Sequence, residues 1–120
     1  MNKIFLILFL AVVQSQQAPF FDGEIAFKYL EKQCAFGERY PGSENHIKMK
    51  DYFIKFLSDK SDELIIYDHE INHPYNKEQK ITLYNILARY NLDSDNRILL
   101  LAHWDTREIA DLDDDEKNRL

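Results

Sequence analysis

The chain has 120 residues, 45% of them hydrophobic and 13% aromatic, which suits one domain with a core and excludes an intrinsically disordered protein. Its formal net charge of -6 at pH 7 argues against a nucleic-acid partner, because such a partner has to be met by a basic surface. Cys34 is the single cysteine, so no intrachain disulfide can form. We expect this thiol to be a buried apolar residue on a helix.

The N-terminus has the pattern of a secretion signal. Lys3 precedes the apolar run Ile4 to Val13, which is too short to span a bilayer and leaves no polar face for an amphipathic helix. We therefore predict a signal peptide over residues 1–15, a linker over 16–22 and one domain portion over 23–120. A secreted or periplasmic protein follows from this pattern, with no stable membrane span after removal of the signal.

Two helices are predicted next. Asp22 can cap a helix from about Gly23 to Phe36, whose apolar side carries Phe27, Leu30 and Cys34. Gly37 is a plausible stop for this helix, and it opens a loop that we expect to be ordered, because aromatic and charged side chains stand among its Gly and Pro residues. Ser43 can cap a second helix to about Leu57, with a core stripe made of Met49, Phe53, Phe56 and Leu57.

Three strands are predicted in the second half of the chain. Leu64 to Ile71 and Ile81 to Tyr90 have strand composition and are expected to pair antiparallel, with Asp68, His69 and Glu70 exposed. After a turn, Ile98 to Ala102 contains no polar residue, which is typical of a strand buried on both faces in an α/β sheet. The order of these elements predicts the beginning of an α/β domain.

The candidate site follows the third predicted strand. In extended backbone, residues two apart point the same way, so His103 and Asp105 share a face and Trp104 takes the other. Ligands of α/β sheets bind beyond the carboxyl ends of the strands. The His-x-Asp spacing alone is compatible with a metal or catalytic site, although a histidine after a strand is more often a hydrogen-bonded structural residue than a ligand. The acidic run from Asp111 to Glu116 does not place a Gly at the sixth and a Glu at the twelfth position of a calcium-binding loop. It is predicted to be a solvated loop.

Three blocks, taken in order, carry a resemblance to a known family. They are Phe36-Gly-Glu-Arg-Tyr-Pro-Gly-Ser-Glu-Asn-His46, Asn85-Ile-Leu-Ala-Arg-Tyr90 and Ile98-Leu-Leu-Leu-Ala-His-Trp-Asp-Thr-Arg107. Together they resemble the N-terminal part of glutaminyl-peptide cyclotransferases, a branch of the zinc-dependent aminopeptidase superfamily. The resemblance implies a three-layer α/β/α fold with a mixed central sheet and zinc at the carboxyl ends of its strands. The fold would be incomplete in this chain.

The resemblance also implies roles for the two site residues. His103 is a zinc ligand if the two-zinc arrangement of the aminopeptidases applies, whereas in single-zinc cyclotransferases it lines the site. Asp105 is the candidate catalytic residue that supports the site. The further ligands are expected beyond Leu120, and the remaining histidines match no ligand and are expected on the surface or in loops: His46, His69 and His73.

The implied reaction acts on peptide or protein N-termini. It converts an N-terminal glutamine to pyroglutamate and releases ammonia, with zinc as the cofactor. Two alternatives stay open: a zinc-dependent aminopeptidase of the same fold, and a non-catalytic truncated product that serves as a binding or structural module. As an N-terminal fragment, the 120-residue chain is expected to be inactive alone. Nothing in the sequence predicts its oligomeric state.

Overall fold

A computed structural model describes residues 20–110 and 112–119. The predicted signal peptide and most of the predicted linker lie outside the described residues. The elements are helix α1 (Gly23–Cys34), helix α2 (Glu44–Ser58), strand β1 (Glu63–Asn72), strand β2 (Lys80–Arg89) and a short 3-10 turn (Glu116–Asn118). The predicted α/β class is confirmed.

Both helices begin where the sequence predicts, because a side-chain oxygen satisfies a free backbone N–H at each start. Asp22 accepts a hydrogen bond from the Ile25 amide at 2.9 Å. Ser43 accepts one from the His46 amide at 3.1 Å. Helix α1 ends two residues before the predicted boundary, and Gly37 then adopts the left-handed backbone with φ 76°.

Strands β1 and β2 form a two-stranded antiparallel hairpin, as predicted. The register runs from Glu63 opposite Arg89 to Asn72 opposite Lys80. An ion pair joins Glu63 to Arg89 at one end of the hairpin, and Glu70 pairs with Lys80 near the other. His69 is exposed on β1, in agreement with its predicted position.

The core lies between α2 and the hairpin. Met49 on α2 is completely buried, as the apolar stripe predicts, and Ile81 at the start of β2 is 6% exposed. Gly42 lies directly against Ile81 and has φ 97°; a Cβ atom there would approach the Ile81 Cγ2 atom to 2.9 Å. A residue without a side chain is therefore required where the loop meets the hairpin.

The predicted burial of Cys34 is wrong, and the apolar residues of α1 are not buried by the described part of the chain. Cys34 is exposed, and Phe27 and Leu30 are more than half exposed. Helix α1 contacts α2 through another residue, Tyr29, whose ring lies 5.1 Å from that of Phe56. The described part of the chain contains no element that covers the opposite side of α1.

The prediction of a buried strand at Ile98 to Ala102 is also wrong for the described residues. This segment forms no strand, and Leu100 is 88% exposed. A strand needs backbone hydrogen bonds to a neighbour, and no strand lies beside this segment in residues 20–110 and 112–119. An open groove of about 600 Å³ separates it from the end of β2. None of the described helices is long and apolar enough to cross a membrane.

Candidate functional site

The segment His103 to Thr106 lies against the loop that joins α1 to α2. Trp104, Asp105 and Thr106 are partly buried, whereas His103 is exposed. This segment differs from the apolar residues before it, because it makes specific contacts with the first half of the chain.

Arg39 makes the polar contacts that join the loop to this segment. Its main-chain N–H donates to the Thr106 hydroxyl at 2.8 Å, and its carbonyl accepts from the Thr106 amide at 3.3 Å. The Arg39 Nε atom donates to the Trp104 carbonyl at 3.1 Å. One residue of the loop therefore contacts the backbone on both sides of Asp105.

The Trp104 side chain enters an aromatic cluster. Its ring stacks on His46 with centroids 4.5 Å apart and an interplanar angle of 8°. Phe53 meets the same ring edge-on at 5.8 Å. Such ring pairs add to the free energy gained from burial, so α2 holds the indole in one orientation.

His103 and Asp105 lie together as predicted. The His103 Nδ1 atom is 3.2 Å from the Asp105 carbonyl oxygen and 3.7 Å from the carboxylate Oδ1 atom. A carbonyl oxygen can only accept, so the first contact requires the ring hydrogen on Nδ1. The lone pair of the neutral imidazole is then on Nε2. This tautomer suits a metal ligand whose other nitrogen is oriented by an oxygen acceptor.

The prediction of His46 as a surface or loop histidine is wrong, since His46 lies on α2 and its side chain is buried. His73 lies in a loop, as predicted, although its side chain is also buried. His46 is 2% exposed, and its Nδ1 atom has no hydrogen-bond partner in the described part of the chain. Burial lowers the pKa of His46; the nearby Asp105 carboxylate opposes this change, and Lys50 adds to it. His46 lies three residues before Met49 on the same side of α2, which is the sequence signal that identifies it as a core residue.

His73 is buried in the connection between β1 and β2. Its Nδ1 atom accepts hydrogen bonds from the amides of Tyr75 and Asn76, both at 3.2 Å. Its Nε2 atom lies 3.4 Å from a carboxylate oxygen of Glu108. Through these contacts the buried His73 side chain connects the hairpin turn to Glu108, which follows the candidate site in the chain. The local sequence around His73 carries no signal for a partner so far along the chain.

Two cavities adjoin the candidate site. A cavity of about 160 Å³ reaches His46, Trp104 and Asp105. A second cavity of about 340 Å³ lies between the hairpin turn and Thr106, Arg107 and Glu108, with His73 in its wall. Open volume therefore adjoins the segment at Trp104 and Asp105 and again at Thr106, Arg107 and Glu108.

The described residues do not form a complete metal site by themselves. His103 offers an imidazole nitrogen, but no three His, Cys, Asp or Glu side chains cluster as a metal site within residues 20–110 and 112–119. A structural zinc ion takes four protein ligands, and a catalytic one takes three with an open position. Any complete ligand set would need groups other than the described ones.

The similarity of this chain to known proteins comes from solved structures. No family model matches the chain, and no curated protein does. Among solved structures, Tannerella forsythia glutaminyl cyclase is 33% identical with a TM-score of 0.75, over 84% of this chain and 34% of that one. A leucine aminopeptidase precursor from Bacteroides thetaiotaomicron is 32% identical with a TM-score of 0.77, over 86% of this chain and 35% of that one.

The chain thus spans about a third of the length of the two solved structures. The similarity nevertheless covers most of this chain, and in both cases the sequence identity is accompanied by a similar fold. The resemblance to the glutaminyl cyclase-like branch of the aminopeptidase superfamily is therefore confirmed by two solved structures.

Proposed function

We propose that this chain is the N-terminal part of a secreted or periplasmic, zinc-dependent glutaminyl-peptide cyclotransferase. The observation that carries the proposal is the pairing of His103 with Asp105, on a segment held by the Arg39 loop, in a chain 33% identical to a glutaminyl cyclase. Its substrates are peptides or proteins that begin with glutamine. The complete activity requires groups beyond those described here.

The reaction forms one bond and breaks one. The α-amine nitrogen of the N-terminal glutamine attacks the carbon of its own side-chain amide, the bond from that carbon to the amide nitrogen breaks, and one proton passes from the amine to the departing ammonia. Zinc, when bound, would supply Lewis-acid polarisation of the amide carbonyl. His103 keeps its hydrogen on Nδ1 and its lone pair on Nε2, where it can serve as a ligand in a two-zinc arrangement or line the site in a single-zinc one.

Asp105 supports this state of His103. Its carboxylate lies 3.7 Å from Nδ1, and a negative charge there favours hydrogen on Nδ1 over hydrogen on Nε2. The main-chain oxygen of Asp105 accepts from the same nitrogen. Asp105 therefore orients the imidazole and fixes its tautomer.

An aminopeptidase is the second candidate, because the leucine aminopeptidase precursor is 32% identical to this chain with a TM-score of 0.77. Both reactions begin at the N-terminus of a peptide and need a polarised carbonyl, so the shared fold does not distinguish them. A non-catalytic role as a binding module is the third alternative.

The experiment offers the complete purified protein two peptides, one beginning with glutamine and one with leucine. Release of ammonia from the first without shortening of the chain supports the cyclotransferase. Release of free leucine from the second supports the aminopeptidase, and turnover of neither peptide contradicts both enzymatic proposals.

The site is tested on the same protein with His103→Ala. We expect activity to fall by about 100-fold or more, as for the loss of a group that orients or binds at the reacting centre. His69→Ala is the matched control, since His69 is an exposed histidine on β1. Bound zinc, measured by elemental analysis, falls in His103→Ala only if His103 is a ligand. Unchanged activity and unchanged zinc together would show that the site is elsewhere.

A further inference from the structure

The two peptide groups on either side of Asp105 are both held by Arg39. The Trp104 carbonyl belongs to the peptide group before Asp105 and accepts from Arg39 Nε at 3.1 Å. The Thr106 amide belongs to the peptide group after Asp105 and donates to the Arg39 carbonyl at 3.3 Å. Because each peptide group is planar, fixing both leaves little freedom for the two backbone dihedral angles of Asp105.

The Arg39 guanidinium is itself fixed at its other end. Its Nη1 atom donates to the carbonyls of Gln33, at 3.0 Å, and Gly37, at 2.6 Å. One planar group thus connects the end of α1, the loop and the site segment. Lysine cannot replace it in this arrangement, because an ammonium group lacks the spread of the guanidinium N–H groups.

The contact reaches His103 through the same backbone. The Asp105 carbonyl, which meets His103 Nδ1 at 3.2 Å, is the opposite end of the peptide group whose amide binds the Arg39 carbonyl. The geometry points to Arg39 as the positioning residue of the site: by holding the peptide groups around Asp105, it sets the directions of both the Asp105 carboxylate and the His103 imidazole. This inference deepens the proposed function and rests on it for its catalytic readout.

Arg97 provides a matched comparison within the chain. Its guanidinium also binds main-chain carbonyls, those of Tyr90, Asn91 and Leu92, in the turn after β2. These hydrogen bonds do not involve residues 103–106, so the loss of Arg97 removes a similar set of hydrogen bonds without moving Asp105. A purely structural role for Arg39 predicts the same outcome for both arginines.

The test compares Arg39→Ala, Arg39→Lys and Arg97→Ala in the complete protein. For Arg39→Ala we expect kcat to fall by about 100-fold with little change in KM, because a displacement of about 1 Å at the reacting centre has an effect of this size. Arg39→Lys should recover little of this loss. Arg97→Ala should keep the parent kcat.

Hydrogen exchange at the Thr106 amide gives a readout that needs no catalysis. The main-chain bonds to residue 39 remain possible in Arg39→Ala, but without the guanidinium we expect this amide to exchange about tenfold faster, as the loss of a hydrogen bond to a charged group predicts. Arg97→Ala should leave its exchange unchanged. If Arg39→Ala fails to fold, Arg39→Lys carries both measurements.

The two proposals fail in different ways. If the parent protein turns over neither peptide, the proposed function fails, and the exchange at Thr106 still decides the role of Arg39. If the parent is active and Arg39→Ala lowers kcat no more than Arg97→Ala does, Arg39 is not a positioning residue. Unchanged exchange at Thr106 in both Arg39 variants also overturns the inference.

Discussion

The stretch from Ile98 to Thr106 contains two halves that behave in opposite ways. Ile98 to Leu101 is apolar and strongly exposed, and it pairs with no strand in the described part of the chain. The half that follows is more polar and yet less exposed, because Trp104 stacks on His46 and Thr106 bonds to Arg39. Hydrophobicity alone predicts the reverse order of burial.

The difference lies in where the partners of each half are found. The partners of Trp104 and Thr106 are in the loop and helix α2, which the first half of the chain supplies. The apolar half has no such partner among the described residues. In general, an exposed apolar run favours association with other protein segments. The lesson is that burial depends on an available partner as well as on composition.

The largest expected effect tests this contrast directly. Trp104→Ala removes the ring held by His46 and Phe53, so we expect a loss of about 2 to 4 kcal/mol in the free energy of unfolding. Leu100→Ala is the matched change in the exposed half, and it should alter this free energy by about 0.5 kcal/mol or less. Urea unfolding of the 120-residue chain measures both; equal losses would contradict the contrast.

A second prediction concerns the loop that holds the ordered half. Gly42→Ala places a Cβ atom against Ile81 at a positive φ, and we expect it to destabilise the chain by about 1 to 3 kcal/mol. Gly23→Ala is the control, because Gly23 begins α1 and its added Cβ would lie 3.8 Å from the Phe21 ring. The control should be neutral or stabilising by up to about 1 kcal/mol. Thermal or urea unfolding distinguishes the two variants. If Gly42→Ala leaves the free energy of unfolding unchanged, the loop does not require a residue without a side chain next to Ile81.

The smallest expected effect is a dependence of stability on pH. Because burial lowers the pKa of His46, the unfolded chain binds a proton at this residue more readily than the folded one does. The contribution of neutral His46 is fully present above the unfolded pKa of about 6.5, and it is lost progressively as the pH falls from there toward the lower folded pKa.

Variants of two histidines check this prediction. His46→Gln should flatten the fall in unfolding free energy below about pH 6.5, whereas His69→Gln, which changes an exposed histidine, should keep it. A slope that is the same in the parent and in His46→Gln would show that His46 does not titrate between the two states.

The sequence predicts what depends on near neighbours. The helix starts at Asp22 and Ser43 are confirmed, because a cap acts within three residues. The antiparallel hairpin is confirmed because two β-rich runs lie on either side of one polar turn. The shared face of His103 and Asp105 follows from backbone alternation over two residues.

What the sequence does not predict depends on distant partners. Arg39 lies 65 residues before the Trp104 carbonyl that it binds, and no local pattern connects the two. The exposure of Cys34 and the absence of a strand at Ile98 to Ala102 depend on which other described residues pack against them, and local sequence does not give these partners. The burial of His46 can be predicted from the sequence, because its spacing from Met49 places it on the core side of α2.

The stacked pair of Trp104 and His46 has a practical consequence. Trp104 is the only tryptophan among these 120 residues, and its ring is in van der Waals contact range of an imidazole. Its fluorescence therefore reports one location, the junction between helix α2 and the site segment. Far-ultraviolet circular dichroism follows the helices and the hairpin instead. Recorded side by side during denaturation, the two signals reveal whether the site segment detaches before the elements that support it unfold.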